Sequence, residues 1–117
     1  MDLYLDKNSQ PKGFEYPNGY IRLVEQKLVN LTPWRIMDGE LLKNKFTGIK
    51  KRYPDKNLVP FATRIDNDDV ACFDLANENK VLIIHDFANA GWEERKRFDS
   101  IWEWFKQAID DMIEYDA

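Results

Sequence analysis

Apolar residues recur at three- and four-residue steps in three stretches of the chain, which is the spacing of one face of a helix. The first stretch begins at Pro17 and ends before Thr32-Pro33, because a proline removes a backbone donor and restricts the residue before it. The second begins after Asp38, a suitable N-cap, and continues to Arg52. The pattern therefore predicts two helices in the first half of the chain.

The third helical stretch lies at the C-terminal end. Ser100 and Glu103 have the spacing of a capping box, in which each side chain satisfies a free backbone N–H at a helix start. We therefore expect the last helix to begin near Ile101. Its buried stripe would consist of apolar residues at helical spacing: Ile101, Trp104, Phe105, Ala108, Ile109, Met112 and Ile113.

Three short runs between the second and third helices are rich in Val, Ile, Phe and Leu, as strands are. They cover residues 58–65, 70–75 and 80–87 and are separated by four-residue connectors of Asn and acidic residues. Such connectors favour hairpin turns. The sequence predicts an α+β fold with a largely antiparallel sheet, whose central three-strand meander packs against helices.

The domain organisation follows from the N-terminal pattern and from length. Residues 1–16 contain Pro11, Gly13 and many polar positions, which predicts a loose N-terminal arm with one short strand. Residues 17–117 form a single domain, since 117 residues suit one domain with its own core. Within it, Trp34 to Met37 are expected to be extended, and Trp34 and Phe61 to be buried.

Composition and charge restrict the function classes. The chain is 44% hydrophobic and 32% charged, as in ordinary globular proteins, and its net charge of -4 argues against nucleic acid as the main partner. No apolar run approaches the length of a signal-peptide core or a membrane span, so we expect no membrane contact and no cleaved leader. A single cysteine favours a reducing compartment, so cytoplasmic localisation is the expectation.

His85 and Cys72 are the two residues that would suit catalysis. His85 lies on an apolar strand face beside Asp86, which allows a general base with a carboxylate, and a Cys72-His85 pair across neighbouring strands would suit nucleophilic chemistry. A hydrogen-bonded structural histidine and a buried structural cysteine are the commoner outcomes. We therefore expect no catalytic residues and no enzyme activity.

An acidic stretch between residues 66 and 78 contains Asp66, Asp68, Asp69, Asp74 and Glu78 and no basic residue. Clustered carboxylates suit Ca²⁺ or Mg²⁺, but Ala71 and Asn77 stand where an EF-hand loop needs Gly and Glu. Turn capping by the Asp side chains explains the stretch more simply. We expect no metal site and no cofactor.

Residues at three places carry a resemblance to a known family: Leu31-Thr32-Pro33-Trp34, LVPFATRIDNDDVACFDL at 58–75, and VLIIHDFANAGWEERKRFDSIWEWFKQAI at 81–109. In these stretches the chain resembles the SUKH superfamily of Smi/Knr-type domains. The resemblance covers about residues 17 to 115 and implies a Smi/Knr-like α+β fold. Many bacterial members are immunity proteins that bind and neutralise toxins, and fungal relatives regulate cell-wall synthesis through protein contacts.

The expected function is therefore protein binding without catalysis, as a bacterial immunity protein that neutralises a cognate toxin stoichiometrically. The alternative is a Smi/Knr-type regulatory or scaffold module with no toxin partner. An acidic surface with tryptophan anchors would cover a basic active-site cleft, because complementary charge accelerates association. The candidate protein-binding residues are Asp66, Asp68, Asp69, Trp92, Glu93 and Trp102.

Overall fold

Six antiparallel strands form one sheet in which the spatial order of the strands is the order along the chain. The structure is a computed structural model that describes residues 2–89 and 91–117. The strands are β1 (Asn30–Leu31), β2 (Trp34–Ile36), β3 (Leu58–Arg64), β4 (Asp69–Asp74), β5 (Lys80–His85) and β6 (Glu94–Phe98). The predicted α+β fold with its central meander, β3 to β5, is confirmed.

Helices cover both faces of this sheet. They are α1 (Asn18–Glu25), α2 (Gly39–Arg52) and α3 (Ile101–Asp116). α1 and α3 lie on one face, where Tyr20 contacts Phe73 and Trp104 contacts Phe61, with ring centroids 5.6 and 5.0 Å apart. α2 lies on the opposite face, where its basic side chains reach Asp86.

Burial on both faces explains the composition of the central strands. Residues 81–84 of β5 are all buried, and so are residues 70–74 of β4. A strand that is covered on both faces is apolar at consecutive positions, whereas a half-exposed strand alternates. The continuous aliphatic run in β5 therefore reflects a strand that is buried on both faces of the sheet.

The starts of α2 and α3 are where the sequence places them. The Ser100 hydroxyl accepts a hydrogen bond from the N–H of Glu103 at 3.3 Å, and the Glu103 carboxylate accepts one from the N–H of Asp99 at 2.8 Å. Asp38 occupies the N-cap position of α2, although its side chain makes no capping hydrogen bond. The sequence signals located both helices.

The largest differences from the predicted elements are at α1 and β6. α1 ends at Glu25, and Leu31, which the pattern assigned to its apolar face, lies in β1, because Lys27 adopts a positive φ of 61° that ends the helix. β6 was not predicted, since its sequence, Glu-Arg-Lys-Arg-Phe, carries charge at four of five positions. An edge strand tolerates such charge because it pairs on one side only.

The N-terminal arm is packed, in contrast to the loose arm with a short strand that the sequence predicted. Residues 2–16 contain no strand, but the side chains of Leu3, Leu5 and Phe14 are buried in the core. The buried hydroxyl of Tyr20 donates to the Leu3 carbonyl at 2.6 Å, and burial raises the pKa of this tyrosine far above its ordinary value. Three spaced apolar side chains thus fix a segment whose Pro and Gly content suggested mobility.

In the described part of the chain, none of the helices combines the length and the hydrophobicity that crossing a membrane would require.

Candidate protein-binding surface

The antiparallel register brings two loops to the same end of the sheet. Asp69, at the start of β4, pairs with His85, at the end of β5, and the loops before and after these residues are therefore neighbours. A hydrogen bond of 3.0 Å from the N–H of Asp86 to the Asp68 carbonyl joins them. We call this surface, residues 65–68 together with 86–89 and 91–93, the turn end.

Five of the six predicted binding residues lie at or beside the turn end: Asp66, Asp68, Asp69, Trp92 and Glu93. Trp102 does not. It lies in the first turn of α3, which follows the far end of β6, and its indole packs beside Gly19 of α1. The structure therefore separates the two tryptophans that the sequence analysis combined in one surface.

The turn end also exposes two large apolar side chains that the sequence analysis missed. Ile65 is 51% exposed and Phe87 is 65% exposed, and Trp92, which the sequence did indicate, is 74% exposed. Phe87 was assigned to a strand face with His85, but β5 ends at His85 and Phe87 lies in the following turn. The signal that could have located Ile65 is its position directly before four polar turn residues.

Three carboxylates of the acidic stretch lie close to a basic side chain from outside it. Asp74 Oδ2 lies 2.8 Å from Arg97 Nη1. Arg64 donates two hydrogen bonds of 2.9 Å to the Asp66 carboxylate, and these hold the pKa of Asp66 below its usual value. Asp69 Oδ1 lies 2.9 Å from His85 Nδ1. The stretch is less negative than its own sequence indicates, since Arg64 of β3 and Arg97 of β6 compensate two of its carboxylates.

Asp68 and Glu93 are the other two carboxylates of the predicted set. Neither makes an ion pair with any residue in the described ranges 2–89 and 91–117. Asp68 is exposed and Glu93 is partly exposed. They are therefore the carboxylates at this surface that a basic partner could reach without first breaking an internal pair.

The structure does not bring Cys72 and His85 together. Cys72 is paired with Leu82, three positions from His85, and alternation places it on the opposite face of the sheet. Cys72 is fully buried, and burial raises the pKa of its thiol well above the ordinary value. The carboxylate beside His85 is that of Asp69, not the sequence neighbour Asp86.

Asp86 is instead the centre of a buried ion cluster. Its carboxylate accepts hydrogen bonds from Arg52 Nε at 2.8 Å and from Lys45 Nζ at 3.3 Å. Burial opposes ionisation, but these two cations outweigh it and lower the pKa of Asp86 below its usual value. The cluster fixes the turn end to the last two turns of α2, so two basic side chains of this helix, Lys45 and Arg52, have an internal partner.

Side chains that can ligate a metal, and clefts, both occur within the described residues 2–89 and 91–117. Among the described residues, no group of three or more His, Cys, Asp or Glu side chains is arranged to hold a metal ion. A cleft of about 290 Å³ lies between α3 and the sheet, with Trp34, Arg64 and Asp111 in its wall. Asp111 pairs there with both Trp34 Nε1 and Arg64.

No family model, curated protein sequence or solved structure matches the chain closely enough to indicate a relationship.

Proposed function

We propose that this protein is a non-catalytic protein-binding domain of the SUKH type that neutralises a bacterial toxin by stoichiometric binding. The observation that carries the proposal is that the loops of the turn end expose three large apolar side chains: Ile65, Phe87 and Trp92. Large exposed aromatic residues are typical anchors of protein interfaces. The toxin identity of the partner rests on the resemblance to bacterial immunity proteins.

The charge of the surface supports a partner with a basic cleft. Asp68 and Glu93 are unpaired within the described residues, and the whole chain carries a net charge of -4. A complementary field accelerates encounter and disfavours wrong partners. Occlusion of a basic active site, as in a toxin that cuts nucleic acid, needs no catalytic group in the inhibitor.

A titration distinguishes stoichiometric occlusion from catalysis. The product of the reading frame directly upstream is the partner to test, with its toxic activity as the readout. Activity should fall linearly with added protein and reach its minimum at one equivalent, and light scattering should give a 1:1 complex. Inactivation by far less than one equivalent would indicate an enzyme, and the absence of a complex would contradict the proposal.

Two tryptophan variants locate the interface. Trp92→Ala removes an exposed anchor at the turn end, and Trp102→Ala removes an exposed tryptophan near the opposite end of the sheet. We expect the first to weaken the complex by about tenfold or more, as an interface anchor does, and the second to leave affinity unchanged. The reverse result would move the interface to the α1–α3 end.

A regulatory or scaffold module is the second candidate, because the same surface would serve a more general adaptor. Affinity purification separates the two functions. A toxin antagonist should retain one partner at one-to-one stoichiometry, whereas a scaffold should retain several unrelated proteins that all lose binding with Trp92→Ala.

A further inference from the structure

Phe87 has a backbone conformation that phenylalanine rarely adopts. Its φ is +64°, in the left-handed region that suits glycine, and its ring is 65% exposed. A bulky side chain in this region has a cost in free energy, and such strain is concentrated at functional sites. Core packing does not explain the ring, since most of it faces solvent.

The surrounding side chains hold Phe87 in this conformation. Its N–H lies 3.1 Å from the Tyr53 hydroxyl and 3.0 Å from Asp86 Oδ1, both of which accept hydrogen bonds from it. The Arg52 guanidinium lies 4.1 Å from the centre of the ring, and Lys45 Nζ lies 5.7 Å from it. The buried cluster around Asp86 therefore also presents an aromatic ring in a fixed position.

We propose that Phe87 is a preorganised anchor that enters an apolar pocket of the protein partner, and that a carboxylate at the rim of this pocket meets Arg52. This inference rests on the proposed protein-binding function and identifies the residue on which it depends. A ring that is ordered before binding loses little conformational freedom in the complex, which favours affinity.

The charges around Phe87 identify the chemistry of the rim. Lys45 and Arg52 are two cations against the single carboxylate of Asp86, and their side chains remain 21% and 31% exposed. An excess of positive charge thus borders the ring on the α2 side, while Asp68 and Glu93 lie on the loops of the turn end. A partner with an acidic rim on one side and a basic surface on the other fits in only one orientation.

The test compares Phe87→Gly, Phe87→Ala and Leu41→Ala. Glycine removes the ring and suits a φ of +64°, alanine removes the ring and keeps the strain, and Leu41 is an exposed apolar control near the other end of α2. We expect the thermal midpoint of Phe87→Gly to equal or exceed that of the unmodified protein and to exceed that of Phe87→Ala. Both Phe87 variants should bind the partner about tenfold or more weakly, whereas Leu41→Ala should bind normally.

A different pattern would overturn the inference. If Phe87→Gly lowers the thermal midpoint by several degrees and leaves the affinity of the folded protein unchanged, the ring has a structural role only. If the unmodified protein binds tightly and Phe87→Gly binds equally well, the anchor is elsewhere while the proposed function stands. Failure of the unmodified protein to bind any partner would instead contradict the proposed function itself.

Discussion

The centre of the core is a set of aromatic rings in direct contact. Phe61 stacks on Phe73 with centroids 4.4 Å apart, and the Trp104 ring meets both Phe61 and Trp34 edge-on. Phe61 is fully buried, and Trp34 is 4% exposed. The sequence-based expectation that both are core residues is confirmed.

Truncation of either aromatic side chain should therefore lower the stability of the fold. We expect Phe61→Ala and Trp34→Ala each to lower the free energy of unfolding by about 3 to 5 kcal/mol, because a buried aromatic leaves a large cavity. Urea denaturation with tryptophan fluorescence or circular dichroism measures this. A loss below about 1 kcal/mol would contradict their role in the core.

The separation of Cys72 from His85 leads to a second prediction at this scale. The double variant Cys72→Ser and His85→Gln removes both candidate catalytic groups, and binding of the partner together with protection from it should persist. A small loss of stability is expected because Cys72 is fully buried. Loss of protection in a double variant that still folds would favour an enzyme.

Asp86 connects two elements, since its carboxylate joins the loop after β5 to α2 through Arg52 and Lys45. Its pKa is lower in the folded protein than in the unfolded chain. The ionised carboxylate therefore stabilises the fold above the unfolded pKa of about 3.9, and this contribution disappears as the pH falls through the lower folded value.

The Asp86→Asn variant tests this linkage. We expect a loss on the order of 2 kcal/mol near neutral pH, less than for a fully buried pair because both cations stay partly exposed. The difference between the two proteins should shrink as the pH falls below about 4. Equal stability at neutral pH would show that the cluster adds nothing to the fold.

Some elements of the fold are predictable from the sequence and others are not, for physical reasons. α2, α3 and β3 to β5 were predictable because their hydrophobic periods and their end signals agree. β6 was not, because its edge position removes the apolar pattern, and its identity as a strand depends on pairing with β5. The packing of residues 2–16 also depends on distant partners, among them Tyr20 and Phe73, that local patterns do not reveal.

The proposed binding surface combines features that residue type indicates with features that only the structure shows. The acidic turn and Trp92 were identified from residue type alone. The pairing of Asp66 with Arg64 and of Asp69 with His85 depends on the register, and the exposure of Phe87 depends on a positive φ, so neither follows from the sequence. Helical spacing indicates which side of α3 carries Trp102, but it does not indicate how far that residue lies from the turn end. The sequence alone could therefore not separate Trp102 from Trp92.

At the scale of the whole molecule, the surface field should control the rate of association. Asp68→Lys with Glu93→Lys reverses the two unpaired carboxylates without breaking the Arg64 or His85 pairs. We expect a slower association rate with a basic partner at low salt, and a smaller difference as salt screens the charges, while the dissociation rate changes little. Stopped-flow mixing measures both rates.

Asp68→Asn with Glu93→Gln is the matched control, because it removes the charge without reversing it and should give an intermediate rate. Thermal midpoints close to that of the unmodified protein would confirm that both double variants remain folded. An unchanged association rate in the Lys variant would exclude this part of the turn end from steering the partner.

The charged composition of β6 affects whether two copies of the protein can pair through this strand. β6 is an outer strand of an open sheet, so a second copy could in principle add to it and extend the sheet. In a two-fold antiparallel pairing centred on Lys96, that residue would face its own copy, and Arg95 would face Arg97. Both of these contacts set cation against cation, which is destabilising in a sheet. The charged sequence that conceals β6 from hydrophobic pattern analysis thus also opposes the pairing of two copies through this edge in that register.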